Sequence, residues 1–204
     1  MKQIVSLMAI MVFLFACKQE PQKAPQIPLE DFFRNPEKTA FQLSPNGEYF
    51  SYLAPWESRL NVFVQKTGEE NAVRVTSETE RDIAGYTWKG DNRILFLKDT
   101  GGDENFHLYG VNADGSDLKG LTVFEKVRTM FIDDLKDVEN EVIVGLNQRD
   151  ATVFDPYRLN VLTGEMTMLA ENPGNIMGWM TDHDGKLRIA ITSDGVNNSI
   201  LYRD

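Results

Sequence analysis

From about residue 40 onward, apolar residues arrive in runs of five or six, set between Gly, Asn and Asp. Glu48 to Leu53 alternates aromatic and small residues after Asn46-Gly47, and Asn61 to Gln65 carries Val62, Phe63 and Val64 before Thr67-Gly68. Ala72 to Thr76 and Ile83 to Trp88 continue the series. Short β-branched and aromatic runs bounded by turn residues predict strands joined in antiparallel order. No helical period lasts beyond a turn or two. One short helix is expected at Leu29 to Phe33, where Pro28 suits the helix entry and Glu30 and Asp31 suit its positive end.

The strand pattern repeats. Corresponding turns fall at Asn46-Gly47, Asp91-Asn92, Glu139-Asn140 and Asp184-Gly185, spaced by 45, 48 and 45 residues. The strands after them match in kind: Tyr49 to Leu53, Arg93 to Leu97, Glu141 to Val144 and Lys186 to Ile191. Leu60-Asn61-Val62 before Thr67-Gly68-Glu69 is echoed by Leu159-Asn160-Val161 before Thr163-Gly164-Glu165. A period of about 40–50 residues holding four strands is the signature of propeller blades. A lone blade has two apolar faces, so blades must stack around an axis. Trp88 and Trp179 are placed to fill space between neighbours. A β-sandwich also uses many short strands, but gives no reason for so even an interval.

The expected fold is therefore all-β: a β-propeller of four-stranded blades, incomplete, with about three and a half blades. The boundaries read as 40–85, 86–132, 133–178 and 179–204. Ile200 to Asp204 looks like a third strand without its fourth, so residues 40–204 are expected to open a longer propeller whose remaining blades come from the same chain or another subunit.

The amino terminus reads differently. Lys2 is followed by the apolar run Ile4 to Ala16, then by Cys17, the chain's single cysteine. A cationic start, a dozen apolar residues and a small residue at the processing point describe a secretory leader. Spanning a bilayer takes about 20 apolar residues, so the run is short for a transmembrane helix. Leu14-Phe15-Ala16-Cys17 resembles a bacterial lipobox, which implies cleavage after residue 16, acylation of Cys17 and a membrane-anchored protein of the cell envelope. Residues 17–39, proline- and glutamine-rich at first, read as a lipidated tether and lead-in. With its sole thiol acylated, the chain would have no disulfide and no C-x-x-C pair. Loss of Lys2 takes the formal charge from −10 to about −11. An acidic chain without a basic stripe argues against a nucleic-acid partner.

Three stretches carry a resemblance. Ile83-Ala84-Gly85-Tyr86-Thr87-Trp88, Asn92 to Phe96 and Asp99-Thr100-Gly101-Gly102-Asp103-Glu104-Asn105-Phe106-His107-Leu108-Tyr109 resemble the N-terminal propeller of prolyl oligopeptidase-family (S9) serine peptidases. The bacterial acylaminoacyl-peptidase and dipeptidyl-peptidase-like members are the nearest group, and Leu43 to Gly47 is a turn typical of them. The resemblance implies a substrate-gating propeller ahead of an α/β-hydrolase domain with a Ser-Asp-His triad, acting on short peptides. These residues hold no G-x-S-x-G elbow, and neither His107 nor His183 has a nucleophile and carboxylate in matching context. No catalytic residue, cofactor or metal site is therefore assigned, and residues 1–204 alone are expected to be inactive. The competing reading is a non-enzymatic envelope lipoprotein whose propeller binds another protein, since propellers host many functions.

Asp103, Glu104 and Asn105 could line an opening of the propeller and steer a peptide amine; the plainer account is a turn held by its own polar side chains. Glu69-Glu70 resembles the paired glutamates that hold a substrate amino terminus in some relatives, but it follows a Thr-Gly turn and is not carried over. The carboxylates of Asp114 to Asp117 and Asp182 to Asp184 lack EF-hand spacing. Trp56, Trp88 and Tyr157 are expected to pack between blades.

Overall fold

The computed structural model describes residues 24–204. The described residues fall into two units, 24–34 and 35–204. In the first, α1 spans Leu29–Phe33 with Pro28 at its cap, as the sequence predicts. Its apolar residues Leu29, Phe32 and Phe33 share one face and are exposed.

The second unit is all-β. Four antiparallel sheets follow one another in chain order. The first holds β1 (Thr39–Leu43), β2 (Tyr49–Trp56), β3 (Arg59–Lys66) and β4 (Ala72–Arg74). The second holds β5 (Gly85–Lys89), β6 (Arg93–Lys98), β7 (His107–Asn112) and β8 (Lys119–Gly120). The third holds β9 (Thr129–Asp133), β10 (Glu141–Leu146), β11 (Asp155–Asn160) and β12 (Met166–Met168). The fourth has three strands, β13 (Ile176–Thr181), β14 (Leu187–Ser193) and β15 (Asn198–Tyr202). Each sheet is a meander of sequential neighbours and none closes into a barrel, which is an incomplete propeller of four blades. Gly47 and Gly185 hold φ of +71° and +70° in the turns that start β2 and β14, a conformation that favours glycine.

Stacking of the sheets makes the core. One cluster joins Leu53, Val62, Val64 and Val75 of the first blade and its linker to Trp88, Ile94, Phe96 and Val111 of the second. Another joins Leu95 and Leu108 of the second to Val142, Val144, Leu146 and Leu159 of the third. The two faces of β6 thus serve two interfaces, the alternation expected of a strand buried on both sides. Polar bonds fix the stacking. The Trp88 indole N–H donates to Ser51 Oγ at 2.8 Å, and the Tyr86 hydroxyl donates to Ala40 O at 2.6 Å. The Trp179 indole N–H donates to Phe154 O at 3.0 Å, across the third and fourth blades. Trp56 differs from expectation: its ring carries the Arg74 guanidinium at 3.7 Å, so it packs within its own sheet.

Candidate functional site

In a meander, alternate connections leave from opposite ends of the sheet. The β6–β7 loop therefore lies at the same end as the linkers that lead from one blade to the next. Asp103, Glu104 and Asn105 come together there as one turn. Asp103 Oδ1 accepts from the Asn105 N–H at 3.0 Å, and Oδ2 accepts from the Asn105 side-chain amide at 3.0 Å. The Asn105 side chain first, then its backbone, holds the Asp103 carboxyl below the usual carboxylate range. Glu104 takes a left-handed φ of +59°, and its N–H lies 3.4 Å from Oδ2 of buried Asp99, whose other oxygen faces Arg81 Nε at 3.4 Å. Asp103 and Glu104 are exposed. Cys17, the expected lipid attachment point, lies outside the described residues.

The first strand of each blade, β1, β5, β9 or β13, is the inner edge of its meander, with β1 beside β5 and β9 beside β13. One concavity runs between β9 and β13. It encloses about 560 Å³ lined by Met130, Ile132, Phe154, Ile176, Met177 and Trp179, with Gly145, Gly174, Gly178 and Gly195 leaving the wall bare. A second hollow of about 450 Å³ shares Ile132 and Trp179 and continues along Asp133, Asp134, Asp137, Met180 and Asp182. A third, about 440 Å³, opens between β5 and β9 beneath Tyr86, Leu95 and Leu97 and also reaches Ile132. Met130, Met177 and Met180 are 42%, 70% and 51% exposed, so the rim of this inner groove is thioether-rich.

The acidic end is partly occupied by its own neighbours. Thr181 Oγ1 donates to Asp133 Oδ2, and the Leu135 N–H donates to Asp133 Oδ1 at 2.9 Å. Lys89, 5% exposed, crosses from the second blade and donates Nζ–H to Leu135 O at 2.8 Å and to Asp134 O. Burial pushes its ammonium below the ordinary lysine value against the pull of Asp134, Asp133 and Glu141. Asp182 accepts from Arg188 Nε at 2.7 Å and from the N–H groups of Lys186 and Asp184, which hold its carboxyl low.

The remaining residues named from the sequence are dispersed. Asp114 accepts from Ser116 within one turn, and Asp117 pairs with Arg93 at 2.7 Å. His107 is buried on β7, His183 is exposed in the β13–β14 turn, and Tyr157 packs against the core shared by the second and third blades. Among the described residues no three His, Cys, Asp or Glu side chains gather as a metal site. The methionine rim escaped sequence reasoning. Its one signal is the run Met177-Gly178-Trp179-Met180, which puts apolar side chains on both faces of a strand.

No protein-family model matches the chain. It is 36% identical over 160 residues to dipeptidyl aminopeptidase BIII of Pseudoxanthomonas mexicana, covering 78% of this chain and 23% of that protein. It is 28% identical over 185 residues to dipeptidyl peptidase family member 6 of Caenorhabditis elegans, covering 86% and 25%. Among solved structures, Pyrococcus horikoshii acylaminoacyl peptidase superposes with a TM-score of 0.57 at 13% identity, over 80% of this chain and 30% of that one. TolB of Acinetobacter baumannii gives 0.52 at 15% identity, over 82% and 41%. These structural likenesses show the fold. The fold is the propeller seen in those structures, and the sequence is similar to one part of a dipeptidyl aminopeptidase. The chain spans about a quarter of the length of the curated relatives it matches, so in them the corresponding stretch is part of a larger chain.

Proposed function

We propose that these residues form the substrate-gating propeller of a membrane-anchored serine peptidase of the prolyl oligopeptidase family. The observation that carries this reading is the 36% identity to a dipeptidyl aminopeptidase over 78% of the chain. The hydrolase region, outside these residues, would supply a serine activated by histidine, with backbone N–H groups facing the oxyanion. The propeller's part is selection. Blades fixed to one another by buried side chains form a rigid wall that admits a short peptide along their inner strands and excludes a folded protein. The leader ending at Cys17 supports export to the bacterial envelope and attachment through an acylated thiol.

The test uses the endogenous product extracted from membranes. A fluorophosphonate probe should label it, it should release a fluorophore from dipeptidyl-aminocoumarin substrates, and its activity should fall as peptide length grows. Cys17→Ser should move it from the membrane to the soluble fraction. A product that takes no probe and cleaves no peptide overturns the peptidase reading in favour of a binding module.

A further inference from the structure

We propose that the methionine-rimmed groove between β9 and β13 is a peptide subsite: it takes an apolar side chain of a short peptide that also carries a positive charge. The inference rests on the peptide-gating reading above and names which peptides the gate retains. Four observations carry it. First, the groove lies on the innermost strands, the surface a peptide passing along the blades would meet. Second, about 560 Å³ falls within the range of small-molecule pockets, about 300–1,000 Å³. Third, its wall combines rigid and adaptable parts. Trp179 is fixed through its indole bond to Phe154 O, while Met130 and Met177 are exposed, unbranched and polarisable, able to refit around side chains of different shape. Gly145 lies on the floor between Ile132 and Phe154, where a Cβ would come within 3.4 Å of both and take up space the groove now leaves free.

The fourth observation is charge. Past Ile132 and Trp179 the groove continues along Asp133, Asp134, Asp137 and Asp182. Lys136 lies in the same wall, Lys89 stands behind it, and Arg188 pairs with Asp182. Four carboxylates against three cations leave this end negative, and the whole chain is negative as well, at −10. A cation beside the apolar side chain is therefore favoured over a neutral or anionic neighbour.

Methyl spectra of the full protein labelled with methyl-13C methionine would test the subsite. The titrants are Lys-Phe-amide, acetyl-Phe-amide and Lys-Ser-amide. Lys-Phe-amide should shift the Met130 and Met177 methyl signals saturably, while Met168, exposed on β12, stays fixed. The other two peptides should bind at least fivefold more weakly. Met177→Gln, at a position 70% exposed and thus safe for folding, should weaken Lys-Phe-amide at least fivefold, and Met168→Gln should not. No shift at millimolar peptide, shifts spread over all methionines, or equal binding of the three peptides overturns the subsite. Fluorophosphonate labelling is independent of this result. A labelled peptidase without methyl shifts loses only the subsite, whereas methyl shifts in an unlabelled protein overturn only the peptidase reading.

Discussion

The joint between the third and fourth blades depends on one buried carboxylate. Asp155 is fully buried at the head of β11 and accepts from Arg149 Nε at 2.9 Å, Arg149 Nη2 at 3.0 Å and the Asn172 N–H at 2.7 Å. Asn172 in turn donates to Ile176 O at 2.7 Å and accepts from the Gly174 and Ile176 N–H groups, so the network reaches β13. Replacing Asp155 with Asn keeps the shape and one acceptor for Asn172, but turns an amide donor toward the guanidinium. Breaking a fully buried pair costs about 3–5 kcal/mol. Arg149 is 36% exposed and can regain water, so Asp155→Asn should cost less, about 1.5–3 kcal/mol, the range of charged hydrogen bonds. Arg149→Met should cost more than Asp155→Asn, because it strands a charge that water cannot reach. Urea unfolding at pH 7 measures both. The pH dependence gives a second readout. Burial pushes the Asp155 carboxyl up, but the Arg149 and Asn172 bonds outweigh it and hold it below its ordinary value. A carboxyl depressed in the fold stabilises above the unfolded value of about 3.9, and that contribution is lost as pH falls through the folded value. Stability of the wild type should therefore drop below about pH 4 by more than that of Asp155→Asn. A loss under about 0.5 kcal/mol at pH 7, the scatter of ordinary surface substitutions, would refute the argument, as would identical acid profiles.

Two further substitutions probe the packing, one within the second blade and one between the second and third. A Cβ at Gly110 would stand 2.9 Å from Nε and Nη2 of buried Arg93, so Gly110→Ala should cost about 1–3 kcal/mol by overpacking. Adding Arg93→Met should recover part of that loss, and a denaturant cycle showing strict additivity would contradict the close contact. Lys89→Met should cost about 1–3 kcal/mol by removing the donor that satisfies Asp134 O and Leu135 O between the second and third blades. A melting temperature equal to the wild type would count against it.

How far the fold was legible follows from these same residues. Strands and turns are local, so the 45–48-residue spacing and the Gly47 and Gly185 turns announced the blades. The repeat also placed both tryptophans between sheets. Their acceptors differ, the Ser51 hydroxyl for Trp88 and the Phe154 carbonyl for Trp179, because an acceptor 37 or 25 residues away leaves no mark on local pattern. Lys89, Arg149 and the methionine rim were unreadable for the same reason. In a sequence Lys89 is one polar residue after a strand; only stacking carries its ammonium to carbonyls 45 and 46 residues on.

The repeat fails in one place that bears on the apolar groove. In the first two blades a threonine ties the linker to the third strand: Val62 N–H donates to Thr76 Oγ1 at 2.9 Å, and Leu108 N–H to Thr122 Oγ1 at 2.8 Å. Both pairs are separated by 14 residues, and both bonds are neutral. In the third blade Pro156 stands where Val62 and Leu108 stand and has no N–H to give, and the linker is held instead through Asn172, whose N–H donates to Asp155 at 2.7 Å and whose carbonyl accepts from Arg149, the partner of Asp155, at 2.8 Å. Acid leaves the two threonine bonds intact, although the first joint also holds the Leu60 N–H on Asp82 and Lys98 on Glu78, and it weakens the third tie, which has no threonine bond beside it. The third tie leads into Ile176, Met177 and Trp179, the wall of the apolar groove. Loss of structure below about pH 4 should then begin at the joint of the third and fourth blades, where the linker is held by a carboxylate on the strand and not by a threonine hydroxyl. Amide exchange at Leu146, Asn172 and Ile176 should rise before exchange at Val62 and Leu108. The reverse order would mean that the ionic tie is no weaker in acid than the two neutral ones.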